Sequence, residues 1–326
     1  MGKIIDVHHH ILPEEYVNAS GTIPHGLTPP PWSPELDLEF MDRNGIDTAI
    51  LSLSAPGLSF LPPTQAATVA RQTNATCAAV RDAYPGRFGF FATLPLLDDN
   101  SDDASSLPAT LTELAHALDE LYADGVTLLT SYGGDGGAYL GDARFRPLWA
   151  ELDRRQAVVF VHPASPPPKP KDASADRAVV VPPPIIDFPH ETTRAAVNLI
   201  TSNIRRDYPH VKIILSHGGG TLPFVATRIA NLMAGAGLLG DKSAEEFLRE
   251  ARSFYFDVAL TGYEGPLGLV LEFAEEGHVL FGSDFSFARE KIIVPQLETI
   301  RALGEGGMGA LVERGAALGL FPRLGL

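Results

Sequence analysis

Eight short runs of apolar and β-branched residues recur along the chain: KIIDVH (3–8), TAILSL (48–53), FGFFAT (88–93), GVTLLT (125–130), AVVFVH (157–162), VKIILSH (211–217), SFYFDV (253–258) and HVLFGSD (278–284). Most are apolar almost throughout rather than alternating, as expected of strands buried on both faces. Between them the period changes to three or four. SPELDLEFMDRNG places Ser33 as N-cap, Pro34 at the first helical position and Gly45 just past the last turn. SLPATLTELAHALDELYADG and FRPLWAELDRRQ repeat apolar residues at helical spacing. Strands alternating with helices build a parallel sheet covered on both sides, and eight such units predict a closed (β/α)8 TIM barrel, with residues 1–326 as a single domain. An open doubly wound sheet is the alternative. It is weakened because HHHILPEEY follows the first strand, where a dinucleotide-binding fold carries G-x-G-x-x-G.

Two connections are long: residues 11–34 after strand one, ending in GLTPPPWSP, and residues 163–190 after strand five, PASPPPKPKDASADRAVVVPPPIIDFPH. Proline-rich stretches of this kind often link domains. Barrel units continue on both sides of each, so they read as loop insertions over the barrel mouth, where proline lowers the entropy lost on ordering.

Composition limits the function. The chain has 326 residues, 45% hydrophobic and 20% charged, with 31 glycines and 27 prolines, a globular composition with many defined turns. A net charge of -15 argues against a nucleic-acid or anionic-membrane partner, since both need clustered Lys and Arg. Small molecules are the expected partners. Cys77 is the single cysteine, so no intramolecular disulfide forms; RQTNATCAAVRDAYPG reads as a helix with the thiol on its inner face, a structural rather than nucleophilic position. No apolar run approaches the ~20 residues that span a bilayer. No signal-peptide pattern precedes the first strand, so a soluble, cytoplasmic protein is expected.

The stretch IIDVHHHILP (4–13) carries three consecutive histidines. Alternation along a strand sends His8 and His10 to one side and His9 to the other. The run continues directly from Ile4-Ile5-Asp6-Val7, which favours a buried strand over an expression tag. In a barrel the active site forms at the C-terminal strand ends. Strand one ends in His8 and His10, strand five in His162, strand six in His217 and strand eight in Asp284. Singly, each has an ordinary reading: a satisfied core histidine, a helix cap, a turn residue. Together on one rim they favour a metal, because imidazole and carboxylate suit a borderline divalent ion such as Zn2+. His25, His116, His210 and His278 lie in loops, on a helix or before a strand and carry no such reading, and His9 is expected to hydrogen-bond in the barrel wall.

DVHHHILP, VFVHPASP, LSHGGGTLPF and LFGSDFSF, in this order over nearly the whole chain, resemble the amidohydrolase superfamily, specifically the decarboxylase branch typified by 2-amino-3-carboxymuconate-6-semialdehyde decarboxylase. The resemblance implies one catalytic divalent metal held by His8, His10, His162 and Asp284, and no organic cofactor. His217 matches the family's acid/base histidine. Arg228, in GTLPFVATR, matches an arginine that members can send across a dimer interface, and a homodimer is implied. Binuclear hydrolases of the superfamily bridge two metals with a carboxylated lysine or a glutamate from strand four. GVTLLTSYGGDGG offers neither, and Lys3 and Lys169 are the nearest lysines, so a mononuclear site is expected.

Within this branch, PPPIIDFPHETTRAAVNLI resembles 6-methylsalicylate decarboxylases of polyketide pathways. That implies a carboxy-lyase converting 6-methylsalicylate to 3-methylphenol (m-cresol) and carbon dioxide, with zinc expected and manganese the alternative. A mononuclear hydrolase, lactonase or amidohydrolase, is the second reading, and a non-catalytic metal-binding barrel the third. Asp284 and His217 are the candidate proton shuttles, Asp284 as immediate donor and His217 polarising the carboxylate or a bound water. Phe188 and Phe287 are candidate walls for an aryl ring, His190 for the phenol oxygen, and Arg228 for substrate binding; Leu58 and Phe60 read as core.

Overall fold

The structure is a computed structural model and describes residues 4–20, 29–95, 106–133, 137–164, 181–304 and 307–325. Eight strands form one parallel sheet in sequence order: β1 (Ile4–Ile11), β2 (Ile46–Leu53), β3 (Phe88–Thr93), β4 (Gly125–Leu129), β5 (Val158–His162), β6 (Lys212–Leu215), β7 (Tyr255–Asp257) and β8 (Val279–Leu280). The sheet curls back on itself. Beyond the short regular part of β8 the chain bonds to β1, with Val7 N donating to Phe281 O at 3.0 Å, Asp284 N to His8 O at 2.8 Å and His10 N to Phe285 O at 2.6 Å. The sequence-predicted barrel is therefore what folds.

The helix signals hold. Ser33 Oγ accepts from Leu36 N at 3.3 Å, and Gly45, at φ 70°, closes the Pro34–Asn44 helix. Cys77 is buried on the Pro63–Ala83 helix, and burial pushes its thiol up out of the reactive range. Among the described residues no helix is long and apolar enough to cross a membrane.

One local expectation is corrected. Residues 183–190 are not loop: a helix spans Pro183–Thr201, with prolines at its first positions where their missing N–H costs nothing. A small hairpin, Ser131–Tyr132 with Ala138–Tyr139, follows β4, its strands too short for any alternation to register in sequence. The mouth insertions fall largely at residues 21–28 and 165–180, outside the described residues, as do His25 and Lys169. In the described part of the first, a short helix spans Glu14–Ser20.

The barrel's lower interior is apolar. Ile5, Val7, Ile50, Phe91, Val158, Phe160, Ile214 and Leu280 pack against Ala316, Ala317, Leu320 and Phe321 near the C-terminus. Ile4 and Ile11 belong instead to the layer between sheet and helices. The β1–β2 ladder skips between Asp6 and His9. An irregularity of this kind shifts the phase of alternation, so Val7 and His8 both meet the Phe160 side of the wall.

Candidate metal and proton-transfer site

His8, His10, His162 and Asp284 come together at the C-terminal rim, all buried, each with one donor atom within 4.8 Å of the others. The second nitrogen of every imidazole is engaged. His8 Nδ1 lies 3.0 Å from Asp257 Oδ2, His10 Nδ1 3.2 Å from the Ser52 carbonyl and His162 Nδ1 3.1 Å from the Pro163 carbonyl. A carbonyl can only accept, so Nδ1 carries the proton in His10 and His162 and leaves Nε2 with a lone pair. His8 Nε2 and His10 Nε2 stand 3.0 Å apart, and Asp284 Oδ1 is 3.4 and 3.0 Å from them. Convergent imidazole lone pairs beside a carboxylate are the donor set of a divalent cation, and the three occupied Nδ1 atoms are the outer partners that metal-bound histidines usually show. The four residues fit a metal.

The electrostatics of His10 and His162 support that reading. Burial and the neighbouring imidazole His8 push His10 below the usual histidine range, although Asp284 opposes them, and His162 is pushed well below by burial and by His10, His8 and His217. His8 behaves differently. Burial would lower it, but Asp257 and Asp284 outweigh burial and raise it to about 10. For Asp284, burial favours the neutral acid, yet His10, His217 and His8 hold it well below the usual carboxylate range.

His217 stands beside this group, its Nε2 3.8 Å from Asp284 Oδ2 and its ring 4.9 Å from that of His8. Among the described residues its buried Nδ1 has no hydrogen-bond partner. The HGGG motif shapes the turn: His217 and the three glycines all have left-handed φ, 56°, 65°, 72° and 65°. A side chain on Gly219 would meet the Phe256 ring at 2.7 Å. Asp284 is also left-handed, at φ 61°. Both candidate proton carriers thus sit in backbone conformations that cost non-glycine residues about 1 kcal/mol or more, strain that characteristically collects at active sites. Gly282 lets the segment after β8 pass close to β1, since a Cβ there would lie 2.7 Å from His8 Cβ.

The end of β4 carries no bridging lysine or glutamate. Thr130 stands there, with its N–H on the His162 carbonyl and its Oγ1 accepting from Ala164 N.

Residues 5–306 match the family described as Amidohydrolase. This chain belongs to the amidohydrolase family. Decarboxylase macB of Penicillium terrestre is 49% identical to this amidohydrolase, the alignment covering 98% of this chain and 95% of that protein. A 6-methylsalicylic acid decarboxylase of Penicillium expansum is 44% identical, over 98% of this chain and 96% of its own. The crystal structure of a 2,6-dihydroxybenzoate decarboxylase complexed with 2,6-dihydroxybenzoate superposes with a TM-score of 0.78 at 25% identity, covering 99% of this chain and 100% of that one.

The amidohydrolase brings some of the expected substrate residues to the cluster and leaves others outside it. Phe188 is buried with its ring 5.9 Å from His162, and Phe287 lies 5.5 Å from His10. His190 and Arg228 are exposed, on the Pro183–Thr201 and Leu222–Gly235 helices, and neither joins the cluster within this chain. Leu58 is buried beside Leu12, Tyr16 and Leu53, with Phe60 packed against that cluster, as core. Sequence reading missed Asp257, at the end of SFYFDV, and Asp6, inside IIDVHHH. The available signal was an acid at or within a strand that is otherwise apolar.

Proposed function

We propose that this amidohydrolase is a metal-dependent, non-oxidative decarboxylase of 2-hydroxybenzoates, with 6-methylsalicylate, giving 3-methylphenol and carbon dioxide, as its substrate. One observation carries the reading: Asp284 turns Oδ1 toward His8 and His10 and leaves Oδ2 facing His217 Nε2 at 3.8 Å. The identities of 49% and 44% to proteins named as decarboxylases support it. His8, His10, His162 and Asp284 are the proposed ligands of one divalent ion, zinc by donor chemistry with manganese the alternative. When bound, such an ion supplies positive charge that orients the substrate's carboxylate and ortho hydroxyl and stabilises charge developing on oxygen.

The chain's own groups do the proton work. One proton goes to the ring carbon bearing the carboxylate, the carbon–carbon bond then breaks, its electron pair restores the aromatic ring, and carbon dioxide leaves. Asp284 is the proposed immediate donor. Because its surroundings hold it in the anionic form, its protonated form is scarce and strongly acidic, a suitable donor to an aromatic carbon. His217 is proposed to replenish that proton and to polarise the substrate carboxylate. Phe188 and Phe287 are the proposed walls for the ring. His190 is exposed in this chain, and no contact to the cluster supports its reach to a phenol oxygen. The reading includes a homodimer in which Arg228, exposed on the same helix as Phe224, reaches a neighbouring subunit's site.

The test is carbon dioxide and phenol release from zinc-loaded protein given 6-methylsalicylate in 18O-water. Stoichiometric 3-methylphenol without label is the expected result. A labelled carboxyl product from a lactone or amide would move the reading to a hydrolase, and silence across a panel of 2-hydroxybenzoates with zinc and with manganese would overturn it.

A further inference from the structure

Asp257 is fully buried at the end of β7 and touches two parts of the rim at once. Its Oδ2 takes His8 Nδ1 at 3.0 Å. Its Oδ1 accepts the backbone N–H of His217 at 3.2 Å and of Ala259 at 2.9 Å. One carboxylate therefore faces a proposed metal ligand on one side and the strained backbone of the proposed proton carrier on the other.

We propose that Asp257 is a positioning residue that fixes the tautomer of His8 and the placement of His217 together. The inference rests on the proposed metal site and proton shuttle. Asp257 Oδ1 already accepts two backbone N–H groups, which leaves Oδ2 to accept from His8 Nδ1–H, so in the neutral ring that a metal requires it is Nε2 that keeps a lone pair toward His10 and Asp284. The other oxygen accounts for His217. A histidine at φ 56° persists only if its surroundings over-determine it, and the N–H on Asp257 Oδ1 is a direct tether at that residue. The two effects share one rigid group, so ligand orientation and proton-carrier position change together when it is altered.

Two substitutions separate the halves. Asp257→Asn keeps an oxygen for the amides of His217 and Ala259 but offers His8 an NH2 group, which favours the wrong tautomer, with Nε2–H aimed into the cluster. Asp257→Ala removes both functions. Zinc affinity, read by chelator competition, should fall about 10- to 100-fold in Asp257→Asn. At saturating zinc, kcat for 6-methylsalicylate should fall further in Asp257→Ala than in Asp257→Asn, with KM changing less than about threefold. Unchanged zinc affinity in a folded Asp257→Asn protein overturns the His8 half, and parental kcat in Asp257→Ala at saturating zinc overturns the His217 half.

A measurement on the unsubstituted protein tests the His8 half independently of whether either variant folds. With histidine 15N-labelled and zinc bound, three imidazoles should carry zinc on Nε2 and hydrogen on Nδ1, one of those protons far downfield as a carboxylate-bound proton is. Zinc on any Nδ1 overturns the assignment. Zinc affinity and tautomer need no substrate, so a protein that decarboxylates nothing fails the functional reading without deciding this one.

Discussion

Neighbouring histidines on β1 meet opposite surroundings. His9, in the wall, is one imidazole between two acids: Nδ1 is 3.0 Å from Asp6 Oδ2, and Nε2 is 3.3 Å from Asp37 Oδ1, the latter an ionic contact without hydrogen-bond geometry. Those acids have further donors, Ser283 Oγ at 2.5 Å on Asp6 and Trp32 Nε1 at 2.8 Å on Asp37. Burial opposes the charged form of His9, but Asp37 and Asp6 prevail and raise it to about 10. Inside the barrel the proportions reverse, with His8, His10, His162 and His217 sharing Asp284 and Asp257. His8 is raised there, whereas His10 and His162 are pushed down. The wall thus sets one imidazole between two acids, whereas the rim gathers four imidazoles around two acids, a donor set that suits a cation. The ratio of acids to imidazoles, more than the presence of histidine, separates a structural site from a ligand site.

Substitution on either side should separate metal from fold. His8→Ala should abolish metal retention and turnover while the protein still melts cooperatively; parental zinc content after dialysis would remove His8 from the ligand set. His217→Ala should lower kcat by about 10²- to 10⁴-fold with zinc content maintained. Equal metal loss in both proteins would make His217 a ligand instead. His9→Ala should do the reverse, costing about 3–5 kcal/mol of stability by leaving buried acids without their cation, yet keeping zinc affinity within about tenfold. Loss of zinc with little change in melting temperature would erase the distinction between wall and rim.

Much of this contrast was legible in the sequence because both barrel and site follow from short-range rules. Near-continuous apolar strands and capped helices gave the eight strands in order, and polar residues at four strand ends marked His8, His10, His162, His217 and Asp284. Less of the supporting shell was visible. Asp257 and Asp6 act across the barrel, from β7 to β1 and from β1 to the segment after β8, and their partners are up to 277 residues away in the chain. The irregularity between Asp6 and His9 was also invisible, since strict alternation from Ile5 and Val7 would have turned His9 inward. Its position depends on pairing with β2. The left-handed backbone of Asp284 likewise belongs to its tertiary setting: FGSD reads as a continued strand, but regular pairing stops at Leu280.

The smallest effect is also the most direct comparison of the two histidines. In the metal-free protein His8 and His9 both have folded-state values of about 10, above the ordinary 6.5. A raised histidine stabilises the fold fully below about pH 6.5, and that contribution is lost as pH rises through about 10. Each therefore adds a downward slope of up to about 1.4 kcal/mol per pH unit across this window. Zinc on His8 requires the neutral ring and removes the His8 slope, leaving that of His9. Melting temperature should fall more steeply between pH 7.5 and 9.5 without zinc than with it, and zinc uptake at pH 8 should release about one proton per ion. Parallel slopes and no proton release would mean that His8 is already neutral before the metal arrives, and that wall and rim hold their histidines in different charge states from the outset.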